Sequence, residues 1–219
     1  MKKICYIVGA GEFSGRNIPL DSAYIIAADA GYKTLKAKKI EPNLIIGDFD
    51  SLSNAPEHPN IIKAPTEKND TDMALAVKHG LKTGLKTFII DGGIGGRLDH
   101  TLANIQLLKK INQNKANGIM LGKDICITAI TNQTISFAQG TKGTISIFTL
   151  GDKAQGVTLK GLKYPLNNAT LTDNFPIGVS NEFTTNPVAI TVKEGTIIIT
   201  WEPSPTTITF DNGTQIKIK

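Results

Sequence analysis

The stretch TFIIDGGIGGRLDHTLANIQLLKKI, residues 87–111, passes from an apolar run through four glycines into a helical pattern. TFIIDG (87–92) is short and almost wholly apolar, as a strand covered on both faces must be. Gly92, Gly93, Gly95 and Gly96 break it. Leu98, Leu102, Ile105 and Leu108 then recur at helical spacing, which places them on one face of a helix. Strand, glycine loop and helix in that order make the repeating step of a parallel sheet with helices on its faces.

The same step recurs through roughly the first 120 residues. ICYIV (4–8), AYIIAAD (23–29) and NLIIGD (43–48) read as strands, and AGYKTLKAKKI (30–40) as a helix. NDTDMALAVKHGLKTG (69–84) carries Met73, Ala76, Val77 and Leu81 at helical spacing, with Gly84 as a stop. From about residue 125 the texture changes. TISIFTL (144–150), VTLKGLKYPL (157–166) and VAITVKEGTIIITW (188–201) alternate or run β-branched, separated by turn signals such as LGDKAQG and KEG. TTITFDNGTQIKIK (206–219) reads as one more hairpin, around Asp211-Asn212-Gly213. The chain therefore reads as an α/β domain over residues 1–130, followed by an all-β sandwich over 131–219 that carries an extra C-terminal hairpin.

Composition narrows the function classes. With 219 residues, 40% hydrophobic and 20% charged, this is an ordinary globular chain with enough length for a real core. No apolar run approaches the ~18 residues of a membrane span. The start, MKKICYIVGAGEFSG, has only a strand-length apolar run and no small-residue cleavage site, so the reading is cytoplasmic with no membrane partner. Cys5 and Cys126 sit in strand-like runs without a CxxC partner and read as buried thiols. The net charge of +5 comes from scattered lysines without interleaved aromatics, which argues against a nucleic-acid partner. The two arginines are Arg16 and Arg97, and Arg97 falls inside the glycine motif, where a bidentate phosphate contact would be useful.

Open parallel sheets bind ligands beyond the carboxyl ends of their strands. Acidic residues fall there. Asp48 and Asp50 leave a strand in IIGDFDS (45–51), two apart and so on one side of an extended chain. Asp70 and Asp72 stand at a helix start, and Asp99 follows the glycine loop. Such hard oxygen donors suit Mg2+ bridging nucleotide phosphates. Each has a plainer alternative. Asp70 or Thr71 can serve as an N-cap, Asp48 to Ser51 as a polar turn, Asp99 as a complement to a helix dipole, and His100 as a structural residue. GGIGG lacks the Lys-Ser/Thr ending of a P-loop and does not fit GxGxxG. Its glycines nonetheless let backbone N–H groups approach a polyphosphate at a helix start. GAGEFSG (9–15) is a second, weaker loop of the same kind.

GDFDS (47–51), EKNDTD (67–72) and GGIGGRLDHTLANI (92–105) resemble the signature segments of the thiamine pyrophosphokinase (thiamine diphosphokinase) family. So do GLKYPL (161–166), GVSNEF (178–183) and VKEGTIII (192–199), in the same order. The resemblance spans roughly residues 4–200. It implies a Rossmann-like, ATP-binding N-terminal domain, a thiamine-binding β-sandwich, and a homodimer. It also implies transfer of the diphosphate of ATP to the hydroxyl of thiamine, giving thiamine diphosphate and AMP. Carried over by residue, it implies Asp48, Asp50 and Asp72 as Mg2+ ligands or close supports, with Asp72, Arg97 and Asp99 as the catalytic residues. Gly92, Gly93, Gly95, Gly96 and Arg97 would contact the nucleotide phosphates, Asp99 the thiamine hydroxyl, and Ser180 and Asn181 the pyrimidine. Two positions depart from the family pattern: Asn69 stands where Asp is frequent, and Ala30 in ADAG where glycine is usual.

Overall fold

The computed structural model describes residues 3–18, 20–48, 58–63 and 69–218. The chain divides into two compact units, Met1–Lys123 and Asp124–Lys219.

The first unit runs β1 (Ile4–Val8), β2 (Ala23–Ala28), α1 (Gly31–Ala37), β3 (Leu44–Gly47), β4 (Ile61–Lys63), α2 (Asp72–Lys82), β5 (Thr87–Asp91), α3 (Leu98–Gln113) and β6 (Asn117–Leu121). Its strands pair in the order β6-β5-β1-β2-β3-β4, parallel at every contact. The apolar runs are continuous because both faces are covered. β3, for example, is buried along its whole length, whereas the short edge strand β4 is exposed throughout. Burial pushes the Cys5 thiol of β1 up to about 12, and Cys126 is likewise a buried thiol.

Helix α2 turns Met73, Ala74, Ala76, Val77 and Gly80 inward. Thr71 is its N-cap, with the side-chain hydroxyl accepting from the Ala74 N–H at 3.1 Å. Asp70 instead pairs with Lys78. Helix α3 differs from the stripe expected of it. Its buried line is Asn104, Leu107, Leu108 and Ile111, while Leu98 is 71% and Leu102 55% exposed. The helix begins only after the glycine loop has carried the chain beyond the end of β5, so its first turns have little beneath them. Among the described residues no helix is long and apolar enough to cross a membrane.

The second unit is antiparallel. It contains β7 (Cys126–Thr131), β8 (Thr134–Phe137), β9 (Thr144–Thr149), β10 (Lys153–Lys160), β11 (Leu166–Thr172), β12 (Asn181–Glu182), β13 (Val188–Thr191), β14 (Thr196–Trp201), β15 (Thr206–Phe210) and β16 (Gln215–Ile218). One sheet follows the order β12-β9-β14-β7 and the other β11-β10-β13-β8-β15-β16. Strands such as β8, β13 and β15 bury every second residue, the pattern of a sheet with one face on a core. Phe137 of β8 meets Trp201 of β14 edge-on at 5.3 Å, so the two sheets close as a sandwich. The C-terminal hairpin β15–β16 extends the second sheet beside β8 and buries Ile208, Phe210, Ile216 and Ile218. Asp211 at its turn accepts from the Thr134 N–H at 3.0 Å and from Gln133 Nε2 at 2.8 Å.

Candidate functional site

The strand order reverses between β1 and β5, and a cleft opens there at their carboxyl ends. Gly9, Ala10 and Gly11 line it from beyond β1, and Asp29 from the end of β2. Thr71, Asp72 and Met73 contribute from the start of α2. Gly92, Gly93 and Gly95 contribute from beyond β5, with His100 and Asn104 from α3. Gly96, Arg97 and Asp99 are not among the lining residues.

The two glycine loops are laid against each other. Gly9 N–H donates to the Asp91 carbonyl and Gly11 N–H to the Gly92 carbonyl, each at 2.8 Å. A Cβ on Gly9 would lie 2.6 Å from Met73 Cε and 2.7 Å from the Gly92 oxygen, which leaves room for glycine alone. In the loop after β1 these glycines therefore serve close approach, and their own N–H groups are directed at the neighbouring loop. Gly92 has φ +64°, and Gly95 and Gly96 are also left-handed, which is why the turn from β5 into α3 is built of glycine. Buried Asn104 tethers the same loop by donating from Nδ2 to the Gly93 carbonyl at 2.8 Å.

Asp29, Asp48 and Asp72 bring one carboxylate oxygen each to within 4.8 Å of one another, and all three are half-buried. Asp29 is one residue past β2, Asp48 one past β3, and Asp72 opens α2. β2 and β3 are parallel neighbours, so their carboxyl ends lie side by side. Asp29 holds φ +49°, a backbone region that few residues other than Asp, Asn and Gly enter readily. Three like charges this close favour a divalent cation as their counter-charge, and hard oxygen donors suit Mg2+. Asp29 was not among the metal ligands expected from sequence. Its signal was available: like Asp48, it is an acid at the carboxyl end of a buried strand. Asp50 lies outside the described residues.

Arg97 and Asp99 form an exposed two-point ion pair, Nη2–Oδ2 at 2.5 Å and Nε–Oδ1 at 3.2 Å. Asp99 Oδ1 also accepts from the His100 N–H at 2.9 Å. The hydrogen bond from Arg97 holds the Asp99 carboxyl below the usual carboxylate range, and the same bond raises Arg97.

In the second unit, Ser180 is exposed and left-handed at φ +57°, with its N–H donating to Ser146 Oγ at 3.0 Å. Asn181 is buried. Its Oδ1 accepts from the Tyr164 N–H at 3.0 Å and the Glu182 N–H at 2.9 Å, and its Nδ2 donates to the Tyr164 carbonyl at 2.7 Å. Its side chain thus clamps the backbone at Tyr164.

Comparison with known proteins gives this arrangement a context. Residues 17–121 match the family model "Thiamin pyrophosphokinase, catalytic domain", and residues 132–197 match "Thiamin pyrophosphokinase, vitamin B1 binding domain". Thiamine pyrophosphokinase of Bacillus subtilis (strain 168) is 32% identical over 189 residues, covering 80% of this chain and 85% of that protein. A crystal structure of thiamine pyrophosphokinase from Bacillus subtilis superposes with TM-score 0.78 at 28% identity, covering 90% of this chain and 98% of that one. That of a thiamin pyrophosphokinase family protein from Enterococcus faecalis does so with TM-score 0.78 at 25% identity, covering 93% and 100%. On these grounds the chain belongs to the thiamin pyrophosphokinase family.

Proposed function

We propose that this chain transfers the diphosphate of ATP to the hydroxyl of thiamine, giving thiamine diphosphate and AMP. The observation that carries the reading is the convergence of Asp29, Asp48 and Asp72, two of them on the wall of a cleft where the strand order reverses. The family of the chain supplies the chemistry such a cluster serves.

The thiamine hydroxyl oxygen forms a bond to the β-phosphorus while the bond from that phosphorus to the α–β bridging oxygen breaks, and AMP leaves with the electron pair. Transfers of this kind need positioning and charge neutralisation more than covalent help from the protein. Asp29, Asp48 and Asp72 would hold Mg2+, and Asp50, known from the sequence alone, is a further candidate ligand. When bound, the ion neutralises charge on the triphosphate. The Rossmann-like first unit takes the nucleotide. The backbone of Gly92, Gly93, Gly95 and Gly96 receives the phosphates, and Arg97 is exposed enough to reach one of them. Asp99, kept ionised by Arg97, accepts the proton of the attacking hydroxyl. Ser180 and Asn181 would contact the pyrimidine.

The enzyme works as a homodimer. Exposed Leu98 and Leu102 on the first unit, and exposed Tyr164, Phe175, Ile177 and Val179 on the second, supply apolar surface for a second copy. The test is product analysis with ATP, Mg2+ and a panel of hydroxyl acceptors that includes thiamine. AMP is expected only when thiamine is present. ADP as product would overturn attack at the β-phosphorus, and AMP without any acceptor would mark a phosphohydrolase.

A further inference from the structure

Asp91 ends β5 with its side chain fully buried, and four donors converge on its carboxylate. Oδ1 accepts from the backbone N–H groups of Ser14 at 2.7 Å and Gly92 at 2.9 Å. Oδ2 accepts from the Ser14 hydroxyl at 2.7 Å and the Tyr6 hydroxyl at 3.1 Å. A buried carboxylate is costly without such bonds, and an apolar residue would end a strand at less expense. What Asp91 joins explains its presence. Its carbonyl takes the Gly9 N–H and its carboxylate takes Ser14, so one residue holds both ends of the 9–14 loop. Between them, Gly11 and Glu12 donate to the carbonyls of Gly92 and Ile94. Ser14 Oγ carries the order onward by accepting from the Arg16 N–H at 3.3 Å.

The geometry points to Asp91, acting through Ser14, as a positioning residue that pre-forms the Gly9–Gly11 wall of the cleft. This rests on the reading above, in which that cleft takes ATP. A glycine-rich loop without an anchor is ordered in only part of the molecules, and apparent affinity falls by that fraction. Tyr6 differs from Ser14 in kind. It reaches Asp91 from the buried interior of β1, so its bond supports the fold and not the loop.

The test measures ATP binding directly by calorimetry, and KM for ATP and thiamine by AMP release. Ser14→Ala is expected to weaken ATP binding about tenfold, the effect of one charge-assisted hydrogen bond, and to move KM for thiamine less than about twofold. Ser14→Thr keeps the hydroxyl and restores ATP binding. Asp91→Asn keeps the shape but loses acceptor capacity, and weakens ATP binding by a similar factor. Tyr6→Phe lowers the melting temperature while ATP affinity stays within about twofold of wild type. Unchanged ATP binding in Ser14→Ala would overturn the inference. So would an equal loss in Tyr6→Phe, since that means general loosening. Wild type that binds ATP yet releases no AMP with thiamine overturns the reaction proposed above, while the binding measurements still decide the role of Asp91.

Discussion

Asp29 and Asp72 meet at one point of the cleft although one closes a strand and the other opens a helix. With Asp48 they place carboxylate oxygens within 4.8 Å, an arrangement whose negative charge a bound divalent cation would offset. Asp29→Asn removes one charge while keeping an oxygen donor. The Mg2+ concentration for half-maximal activity should rise on the order of tenfold, because affinity for hard cations follows the number of charged ligands. A magnesium titration checks this, and an unchanged titration would remove Asp29 from the ligand set.

Thr71 sets where α2 begins and hence where Asp72 stands. Thr71→Ala removes the acceptor for the Ala74 N–H, a loss that costs about 1 kcal/mol in typical N-caps. For a chain of this size that is a fall in Tm of roughly 2–4 °C. Fraying of the first turn should also weaken the Mg2+ response, and Thr71→Ser should recover both. Loss of stability with an unaltered magnesium response would mean that Asp72 is placed by tertiary contacts and not by the cap.

Much of this was legible in the sequence where burial is two-sided. β1, β2, β3 and β5 stand out as continuous apolar runs because a covered parallel sheet tolerates little else. β4 left no trace, since Ile61–Lys63 is a short exposed edge. In α3 two apolar stripes share helical spacing, and nothing local tells which faces the core. The glycine loop decides it, burying Leu107 and Ile111 and leaving Leu98 outside. Asp29 and Asp91 were harder. Each ends an apolar strand, and its purpose depends on partners such as Asp72, Ser14 and Tyr6, which only the topology brings near. The clamp that Asn181 places on Tyr164 is of the same kind.

Arg97 governs the titration of Asp99. Its hydrogen bond is the largest influence lowering the carboxyl, with the His100 N–H adding to it. A carboxyl depressed in the folded state keeps its pair above the unfolded value, near 4, and loses it only as pH falls through the lower folded value. Both side chains are exposed, so the pair adds little to stability. Arg97→Ala should therefore move the Asp99 midpoint upward with little change in Tm. Carboxyl-carbon NMR titration of wild type and variant measures this directly. An unmoved midpoint would show that the helix start alone keeps Asp99 ionised.

Asp99→Asn separates the chemical role of this residue from a structural one. Asparagine has nearly the same size and can still accept from the His100 N–H, but it cannot hold the charged two-point contact with Arg97. The side chain is 62% exposed, so the fold should scarcely register the change. Turnover should. In the proposed reaction Asp99, as an anion, would accept a hydrogen bond from the attacking hydroxyl and draw off its proton as the bond to phosphorus forms. Loss of a positioned acid–base group typically slows a reaction by about 10²–10⁴-fold. KM for ATP should change little, because the residue lies outside the lining of the cleft and its proposed partner is the acceptor hydroxyl. Melting temperature, ATP affinity and turnover measured on one sample give the decisive pattern: the first two preserved, the third reduced. Near-normal turnover would leave Asp99 as the partner of Arg97 at a helix start, and the base for the hydroxyl would have to be sought elsewhere, beginning with His100 on the cleft wall.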